Sequence, residues 1–262
     1  MKRIVTALVL APLAVALILR ADFRILQIAV SGFALVCAWE FRNLIGHFQF
    51  RKPGFAALGI GLCLLLLPLP YSFPVVLVGT LLLLSLMLGA DDMRLTLPSA
   101  GAGLLGVLYI FGSWKTALLL VRFDPHWLLL ALAINWVGDT AAFAVGRLIG
   151  RHKMAPVISP AKSWEGAVGS LTISVVAATF YIRWFSPETP LPFAIVLAAL
   201  ANVAGQVGDL AESALKRGAG VKDSGAMLPG HGGWLDRLDS SLFSMPVVYT
   251  LLLTAQLLAK GF

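Results

Sequence analysis

Residues 54–90, GFAALGIGLCLLLLPLPYSFPVVLVGTLLLLSLMLGA, contain no charged side chain in 37 consecutive positions. An apolar run of about 20 residues can cross the roughly 30 Å hydrocarbon core of a bilayer as a helix. The whole chain is of this kind, because 59% of its 262 residues are hydrophobic, 13% are charged and the mean hydropathy is +0.88. Soluble domains carry about 25% charged residues, so we predict an all-α, polytopic integral membrane helical bundle.

Working outward from this segment, the apolar runs predict about nine transmembrane helices. Their ranges are 4–19, 23–44, 55–69, 73–90, 97–114, 125–149, 166–185, 191–211 and 241–259. Eight or ten spans remain alternatives, because the region 115–125 is ambiguous. Lys2 and Arg3 before the first run resemble the start of a signal peptide. More membrane follows at once, so we expect an uncleaved first span.

The loop charges predict the orientation. With a cytoplasmic N-terminus, 14 of the 20 Lys and Arg residues fall on the cytoplasmic side. This bias favours an N-terminus inside and a C-terminus outside in the inner or plasma membrane of a cell, and it places both charged loops in the cytoplasm. The net charge of +7 is spread through short loops. Anionic lipid or phosphate explains it better than nucleic acid, which we do not expect as a partner.

The two halves of the chain differ in polarity. Residues 1–122 are nearly free of intramembrane polar groups, so we expect an N-terminal transmembrane scaffold or dimerisation region there. Residues 123–262 carry almost all such groups, and we expect a catalytic transmembrane region with cytoplasmic active-site loops. Trp39, Glu40 and Arg42 end the second apolar run. Their default interpretation is an interfacial Trp with a snorkelling charged pair.

Charge is concentrated in residues 205–241, GQVGDLAESALKRGAGVKDSGAMLPGHGGWLDRLDSS, which hold nine charged side chains in 37 positions. Each charge at the centre of a bilayer costs roughly 2.5–3.5 kcal/mol on insertion scales. We therefore interpret the stretch as the active site of a membrane enzyme that handles phosphates with metal ions. Asp209, Glu212 and Lys216 share one helical face at i, i+3 and i+7. Glu212 and Lys216 could be an ordinary i,i+4 pair, but Asp209 lies deeper in the span.

Two upstream segments carry further polar candidates. Asp139 lies in an apolar helix, with Arg147 eight residues on. An intramembrane acid is functional by default, although Asp139 could instead pair with an interior Arg to fold the bundle. Ser159, Lys162 and Ser163 precede the seventh predicted helix, where Ser163 is a good N-cap and free amides can bind phosphate. Plain helix capping explains this segment about equally well.

The glycine-rich loop after Arg217 suits an anion, because glycines let backbone amides converge on it. It carries Lys222, Asp223 and His231, and a lone His is more often structural than catalytic. Asp236, Arg237 and Asp239 then open the last helix, a place suited to carboxylates or to a metal that they hold. Acids with phosphates favour magnesium, and one His without thiolates makes zinc a poor fit.

The pattern S-x2-KR-x4-KD-x-G-x2-LP-x-HGG-x2-DR-x-D over residues 213–239 resembles the signature of the phosphatidate cytidylyltransferase, or CDP-diacylglycerol synthase, family. The resemblance is dense over residues 136–241; before them it covers only hydropathy and Trp39-Glu40. It implies that CTP and phosphatidic acid give CDP-diacylglycerol and pyrophosphate, and that a homodimer is plausible. It also implies that Asp209 and Asp236 hold Mg²⁺ with K⁺ as a second metal.

By the same resemblance, a further set of residues lines the site. They are Asp139, Lys216, Lys222, Asp223, His231, Arg237 and Asp239. The chain departs from the family pattern at two places, since Phe143 stands where relatives often have Tyr and Ala161 replaces a frequent Lys. These changes put a hydroxyl contact and part of the phosphate or head-group binding in doubt.

The chemistry of the residues agrees with this expectation. The phosphate of phosphatidic acid is already a nucleophile, so the site has only to join two polyanions and stabilise an in-line transition state. Metal-bound phosphates with Lys216, Arg217, Lys222 and Arg237 around them would do so. A CTP-using polyprenol kinase is an alternative enzyme, and it would release CDP rather than pyrophosphate. A transporter with an intramembrane ion path is a non-enzymatic alternative, and it would leave the cytoplasmic charge cluster unexplained.

Overall fold

A computed structural model describes residues 12–48, 54–88, 92–227 and 232–261, and they are almost entirely helical. After a helical segment at 12–20, the elements are α1 (Phe23–Ile45), α2 (Gly54–Leu66), α3 (Ser72–Leu86), α4 (Thr96–Gly106), a π-helical segment (Val107–Gly112), α5 (Ser113–Phe123), α6 (Pro125–Ile149), strands β1 (Lys153–Ala155) and β2 (Ser159–Ser163), α7 (Trp164–Phe185), α8 (Leu191–Gly218) and α9 (Leu235–Ala259). The predicted all-α class is confirmed, with one small hairpin added.

Seven helical stretches of the described residues are long and apolar enough to cross a membrane. They are Phe23–Phe48, Leu69–Leu86, Met93–Phe123, Pro125–Ile149, Trp164–Phe185, Leu191–Gly218 and Leu235–Ala259. The predicted polytopic membrane bundle is thereby confirmed. Half of the first predicted span 4–19, residues 4–11, lies outside the described residues, so the count of nine stays a prediction.

Two spans of the first half differ from the prediction. Helix α2 has 13 residues, about 20 Å at 1.5 Å per residue, and is shorter than the predicted span 55–69. Pro68 follows it, and the buried Lys115 ammonium donates to the carbonyls of Leu65 and Leu67, which lack helical partners. The span predicted to end at residue 114 instead continues to Phe123. The ambiguous region 115–125 is therefore mostly helix.

The chain divides into two compact units, Met1–Leu118 with Leu215–Arg237 and Leu119–Ala214 with Leu238–Phe262. In the first unit, α2, α3 and the π-helical segment pack around the buried side chains of Ile60, Leu83 and Val107. Gly61 is required there, because a Cβ at this position would lie 2.1 Å from the ring of Phe111. The functional division predicted at residue 122 stays a prediction.

In the second unit, α6 and α7 pack against each other along their lengths, and the β1–β2 hairpin connects them in the chain. Buried amides and hydroxyls join the helices: Asn135 Nδ2 donates to Ser244 Oγ at 2.8 Å, and Asn202 Nδ2 donates to Ser174 Oγ at 3.1 Å. Gly138 leaves room for this network, since a Cβ there would lie 2.7 Å from Asn202 Nδ2. Interhelical hydrogen bonds of this kind hold helices together where lipid provides no hydrophobic drive.

Candidate active site

A cavity of about 260 Å³ lies within the second unit, bordered by α6, the hairpin, α7 and α8. Its polar lining includes Asp139, Lys162, Ser163, Gln206 and Asp209. Four of these five residues were predicted as site residues from three separate segments of sequence. The fold therefore brings the upstream polar segments and the acid of α8 to one place.

Lys162 and Asp209 form the ion pair of this cavity. Lys162 Nζ lies 2.7 Å from Asp209 Oδ2, and about a quarter to a third of each side chain is exposed, 25% and 31%. Ser213, one turn further along α8, donates its hydroxyl to Asp209 Oδ1 at 3.4 Å. Since both partners remain open to the cavity, either can exchange its partner for a ligand of opposite charge.

Local capping fixes the position of Lys162. Strand β2 pairs antiparallel with β1 in the register Lys153↔Ser163 and ends where α7 begins. Ser163 Oγ accepts from the amide of Gly166 at 3.2 Å, which confirms the predicted N-cap. Phosphate binding at this helix start stays a prediction.

Asp239 lies near other predicted acids of the second unit. Asp239 is buried and within electrostatic range of Asp209, Glu212 and Asp139. Glu212 is buried as well, whereas Asp139 is exposed on the cavity wall. Like charges at such range in an apolar bundle disfavour one another unless cations offset them. The group therefore provides a setting that attracts cations.

In the first unit, the end of α8 is a Schellman turn that directs the glycine-rich loop. The amide of Val221 donates to the Lys216 carbonyl at 2.9 Å, and that of Gly220 donates to the Arg217 carbonyl at 3.0 Å. Gly220 takes the left-handed conformation that the turn needs, with φ of +73°. Arg217 reinforces the turn by donating Nη1 to the Val221 carbonyl at 3.1 Å.

Asp236 closes the other end of this loop. Its Oδ1 lies 2.5 Å from Lys216 Nζ, and its Oδ2 accepts from the Gly233 amide at 2.7 Å and from both the amide and the hydroxyl of Ser224 at 3.0 Å. The Asp236 side chain is only 5% exposed. Gly232 lies against it with φ of +79°, and a Cβ at this residue would lie 2.6 Å from Oδ2. Asp236 is thus an acceptor for at least four donors.

The remaining predicted residues occupy three kinds of position. Lys222, Asp223, Arg217 and Arg237 are exposed around the loop, Arg147 is exposed near the end of α6, and Ser159 is half-buried at the start of β2. His231 lies outside the described residues. The basic groups of the loop are placed at its surface, where an anion can reach them.

Sequence reasoning missed the role of Glu40. It was predicted to snorkel, but it is 2% exposed and accepts hydrogen bonds from the loop and from the start of α9. The neighbouring Trp39 is exposed and lies 5.1 Å from the guanidinium of Arg42, as an interfacial pair should. An acid inside an otherwise apolar helix was a visible signal of such a role. The groups that donate to Glu40 could not be recognised, because the amide donors lie almost 200 residues away in the chain.

The predicted metal ligands differ in how well they suit a metal ion. Asp209 fits, because its carboxylate opens to a cavity beside other acids. Asp236 in this conformation does not, because both oxygens are engaged by protein donors. Among the described residues, no three His, Cys, Asp or Glu side chains form a ready metal cage. Magnesium usually takes one or two carboxylates together with substrate phosphates, so a cage is not required.

Comparison with known proteins gives a consistent set of similarities. A profile described as "Cytidylyltransferase family" matches residues 1–255. A phosphatidate cytidylyltransferase of Bacillus subtilis is 38% identical over 208 residues, which cover 74% of this chain and 77% of the relative.

Two staphylococcal proteins of the same name match over shorter stretches. That of Staphylococcus saprophyticus is 40% identical over 149 residues, 57% of this chain and 55% of the relative. That of Staphylococcus aureus strain COL is 44% identical over 130 residues, 49% of each chain. In these two matches the chain spans about half the length of the relative.

Proposed function

Because the chain belongs to the cytidylyltransferase family, we propose that it transfers CMP from CTP to phosphatidic acid, giving CDP-diacylglycerol and pyrophosphate. The observation that carries this proposal is the match of residues 1–255 to that family, together with a cavity in which Lys162 and Asp209 face each other. The residues and the family thus support the same nucleotidyl transfer.

In this reaction an oxygen of the lipid phosphate forms a bond to the α-phosphorus of CTP. The bond from that phosphorus to the oxygen bridging to the β-phosphate breaks, and pyrophosphate carries away the electron pair. The chain has to hold two polyanions in line and neutralise them, and it needs no covalent intermediate. Lys162, Lys216 and Lys222 would do this together with Arg217 and Arg237.

Bound Mg²⁺ would neutralise phosphate oxygens and polarise the phosphorus. Asp209 would hold it, with Asp236 as the second carboxylate and K⁺ beside them, as the family resemblance implies. For Asp236 to take this role, Lys216 must first leave its Oδ1, and that frees the Lys216 ammonium for a phosphate. Asp139, Asp223, Glu212, Asp239, Arg147, Ser159, Ser163 and His231 would complete the site.

Phosphatidic acid, the second substrate, is dissolved in the lipid bilayer, so the proposal includes an orientation of the protein in the membrane. The N-terminus and the active-site loops would face the cytoplasm, where CTP is dissolved, in the inner or plasma membrane of the cell. The acyl chains would stay in the bilayer while the phosphate head enters from the side. A homodimer is part of the proposal by family analogy.

The test is incorporation of radiolabelled CTP into lipid by the purified full chain, with and without Mg²⁺. We expect labelled CDP-diacylglycerol and one pyrophosphate per product. Release of CDP with phosphorylated lipid would identify a CTP-dependent kinase instead. Solute flux across sealed vesicles without CTP turnover would identify a transporter and reject the proposed transfer.

A further inference from the structure

Glu40 of α1 is a buried acid from the half of the chain predicted to be scaffold. Its Oε2 accepts from the amide of Leu235 at 2.8 Å, and its Oε1 accepts from the amide of Trp234 at 3.1 Å. Leu235 is the first residue of α9, so Glu40 satisfies amides that have no partner at a helix start. A negative charge is also favourable at that end of the helix dipole.

The hydroxyl of Ser224 connects Glu40 to Asp236. Ser224 Oγ lies 3.2 Å from Glu40 Oε2 and 3.0 Å from Asp236 Oδ2. One hydroxyl proton thus serves two carboxylates, while the Ser224 amide donates to Asp236 as well. Ser224 directly follows Lys222 and Asp223 in the chain, so fixing it fixes the base of the segment that presents them.

Two glycines show how closely the loop is built around this carboxylate. A Cβ on Gly225 would lie 2.6 Å from Glu40 Oε1, and a Cβ on Gly233 would lie 2.4 Å from Glu40 Oε2. Phe33 lies seven residues before Glu40 on α1, and its ring centroid is 5.0 Å from that of Trp234. Residues seven apart share a helix face, so one face of α1 supports both the amide and the ring of Trp234.

We propose that Glu40 is a positioning residue that orders the loop segment Val221–Met227 and thereby sets the turnover of the enzyme. The proposal rests on the proposed function for its effect on turnover. Glu40 is buried and accepts hydrogen bonds from Ser224, Trp234 and Leu235, so it acts through these residues. Through Glu40, the N-terminal half therefore contributes to the active site of the enzyme.

The test compares Glu40→Gln with the unchanged full chain in vesicles that contain phosphatidic acid. Gln keeps the shape of the Glu40 side chain, but its amide nitrogen is a donor. It would therefore face a backbone or hydroxyl donor and lose that hydrogen bond. We expect kcat per folded enzyme to fall roughly 10–100-fold, as for other outer partners of functional groups, with a smaller change in the KM for CTP. Amide exchange in the peptides 221–227 and 232–235 should become about tenfold faster, while α3 and α7 stay unchanged.

Glu188→Gln is the matched control, because Glu188 is an exposed acid of the loop after α7. The hydroxyl of Ser186 donates to it and holds the pKa of Glu188 below its usual range, so Glu188 is likewise a glutamate that accepts a hydrogen bond from a serine. We expect it to change neither turnover nor exchange in the loop. Glu40→Asp, which keeps the charge on a shorter side chain, should recover part of the turnover lost in Glu40→Gln.

Ser224→Ala tests the connection itself. It removes the shared hydroxyl but leaves the Glu40 contacts to Trp234 and Leu235. We expect a smaller loss of kcat, and the double variant with Glu40→Gln should lose less than the product of the two single effects. Should Glu40→Gln fail to fold, Glu40→Asp and Ser224→Ala carry the same comparison.

Three results would overturn the proposal. They are unchanged turnover in Glu40→Gln, slower turnover without faster exchange in the loop, and faster exchange spread evenly over the chain with a lowered Tm. If the unchanged chain makes no CDP-diacylglycerol, the proposed function fails by itself. The exchange experiment then still decides whether Glu40 orders the loop.

Discussion

Asp209 and Asp236 show how two aspartates with the same predicted role differ in their surroundings. Asp209 shares a cavity with Lys162 and keeps 31% of its side chain exposed. Asp236 is 5% exposed and accepts from Lys216, Ser224 and Gly233. Replacing each by Asn changes little volume, so the two variants separate ligand binding from the ordering of the loop.

Asp209→Asn should nearly abolish turnover, by more than about 100-fold, and leave a folded, membrane-inserted protein. The carboxylate is about one third exposed and is paired with a lysine, so its removal alters charge at the cavity more than packing. Radiolabelled CTP incorporation and Tm in detergent check the two parts. Substantial retained activity would remove Asp209 from the mechanism.

Asp236→Asn should also stop turnover, and it should destabilise the protein. It breaks the mostly buried ion pair between Lys216 and Asp236, and breaking such a pair costs about 3–5 kcal/mol. Reversible denaturant unfolding in detergent measures this against Asp209→Asn as the matched aspartate. Equal stability of the two variants would mean that the hydrogen bonds around Asp236 contribute little.

Prediction from sequence succeeded at residues whose partners are near in the chain. Ser163 caps α7 through Gly166, three residues on, and this spacing is visible in the sequence. Glu40 failed as a prediction because its partners Trp234 and Leu235 are 194 and 195 residues away. Hydropathy describes a residue's own preference for water, and it does not report a distant donor.

At the scale of elements, hydropathy predicts the apolar part of a helix, but it does not by itself predict where the helix begins or where a short hairpin forms. Helix α6 runs from Pro125 to Ile149, the predicted 125–149, because a proline and a glycine mark its ends. Helix α9 begins at Leu235, six residues before the apolar run predicted at 241–259, and Glu40 accepts from the Leu235 amide. The charged residues at 236, 237 and 239 therefore open the last helix, as predicted from the sequence. The β1–β2 hairpin was missed, because its strands are three and five residues long and β2 contains Pro160.

The two left-handed glycines of the loop form a matched pair for mutation. Gly220→Ala adds a Cβ with nothing within 4 Å, so only backbone strain of about 1–2 kcal/mol is expected. Gly232→Ala adds the same strain and a Cβ 2.6 Å from Asp236 Oδ2. We expect Gly220→Ala to keep most turnover and Gly232→Ala to lose most of it, measured as CTP incorporation per folded enzyme. Similar activities in both variants would show that Asp236 can shift without loss.

At the scale of the whole molecule, topology decides whether the site meets CTP. Helix α7 separates the hairpin tip at Val157 from the loop at Glu188 by one span of 22 residues, about 33 Å. Both positions are exposed. A helix of this length that crosses the bilayer puts these two positions on opposite sides of the membrane, and a reagent that cannot cross the bilayer can distinguish them.

In a chain whose Cys37 and Cys63 are replaced by Ala, Val157→Cys should react with an impermeant thiol reagent in inside-out vesicles only. Glu188→Cys should react in right-side-out vesicles only. Labelling is read by mass shift, and the reverse pattern would place the loops outside the cell and exclude the orientation proposed above.

A second prediction at this scale concerns the metal. Chelation by EDTA should abolish turnover, and added Mg²⁺ should restore it, because the carboxylates of Asp209 and its neighbours repel the phosphates of CTP unless a divalent cation lies between them. Zn²⁺ is the comparison ion, and we expect it not to restore turnover, because the predicted site residues include one His and no Cys, the ligands that zinc prefers. Full activity with EDTA present would exclude a dissociable metal from the reaction.

The long separation between Glu40 and Leu235 also has a meaning for biogenesis. Leu235 is 195 residues further along the chain, and a ribosome adding about 5–20 residues per second takes roughly 10–40 s to reach it. During that interval the acid of the second apolar run has entered the translocon, and the amides that will bind it have not been synthesised. The apolar residues around Glu40 must therefore supply the free energy of insertion by themselves. A chain that stops before residue 235 leaves this carboxylate with no helix start to cap.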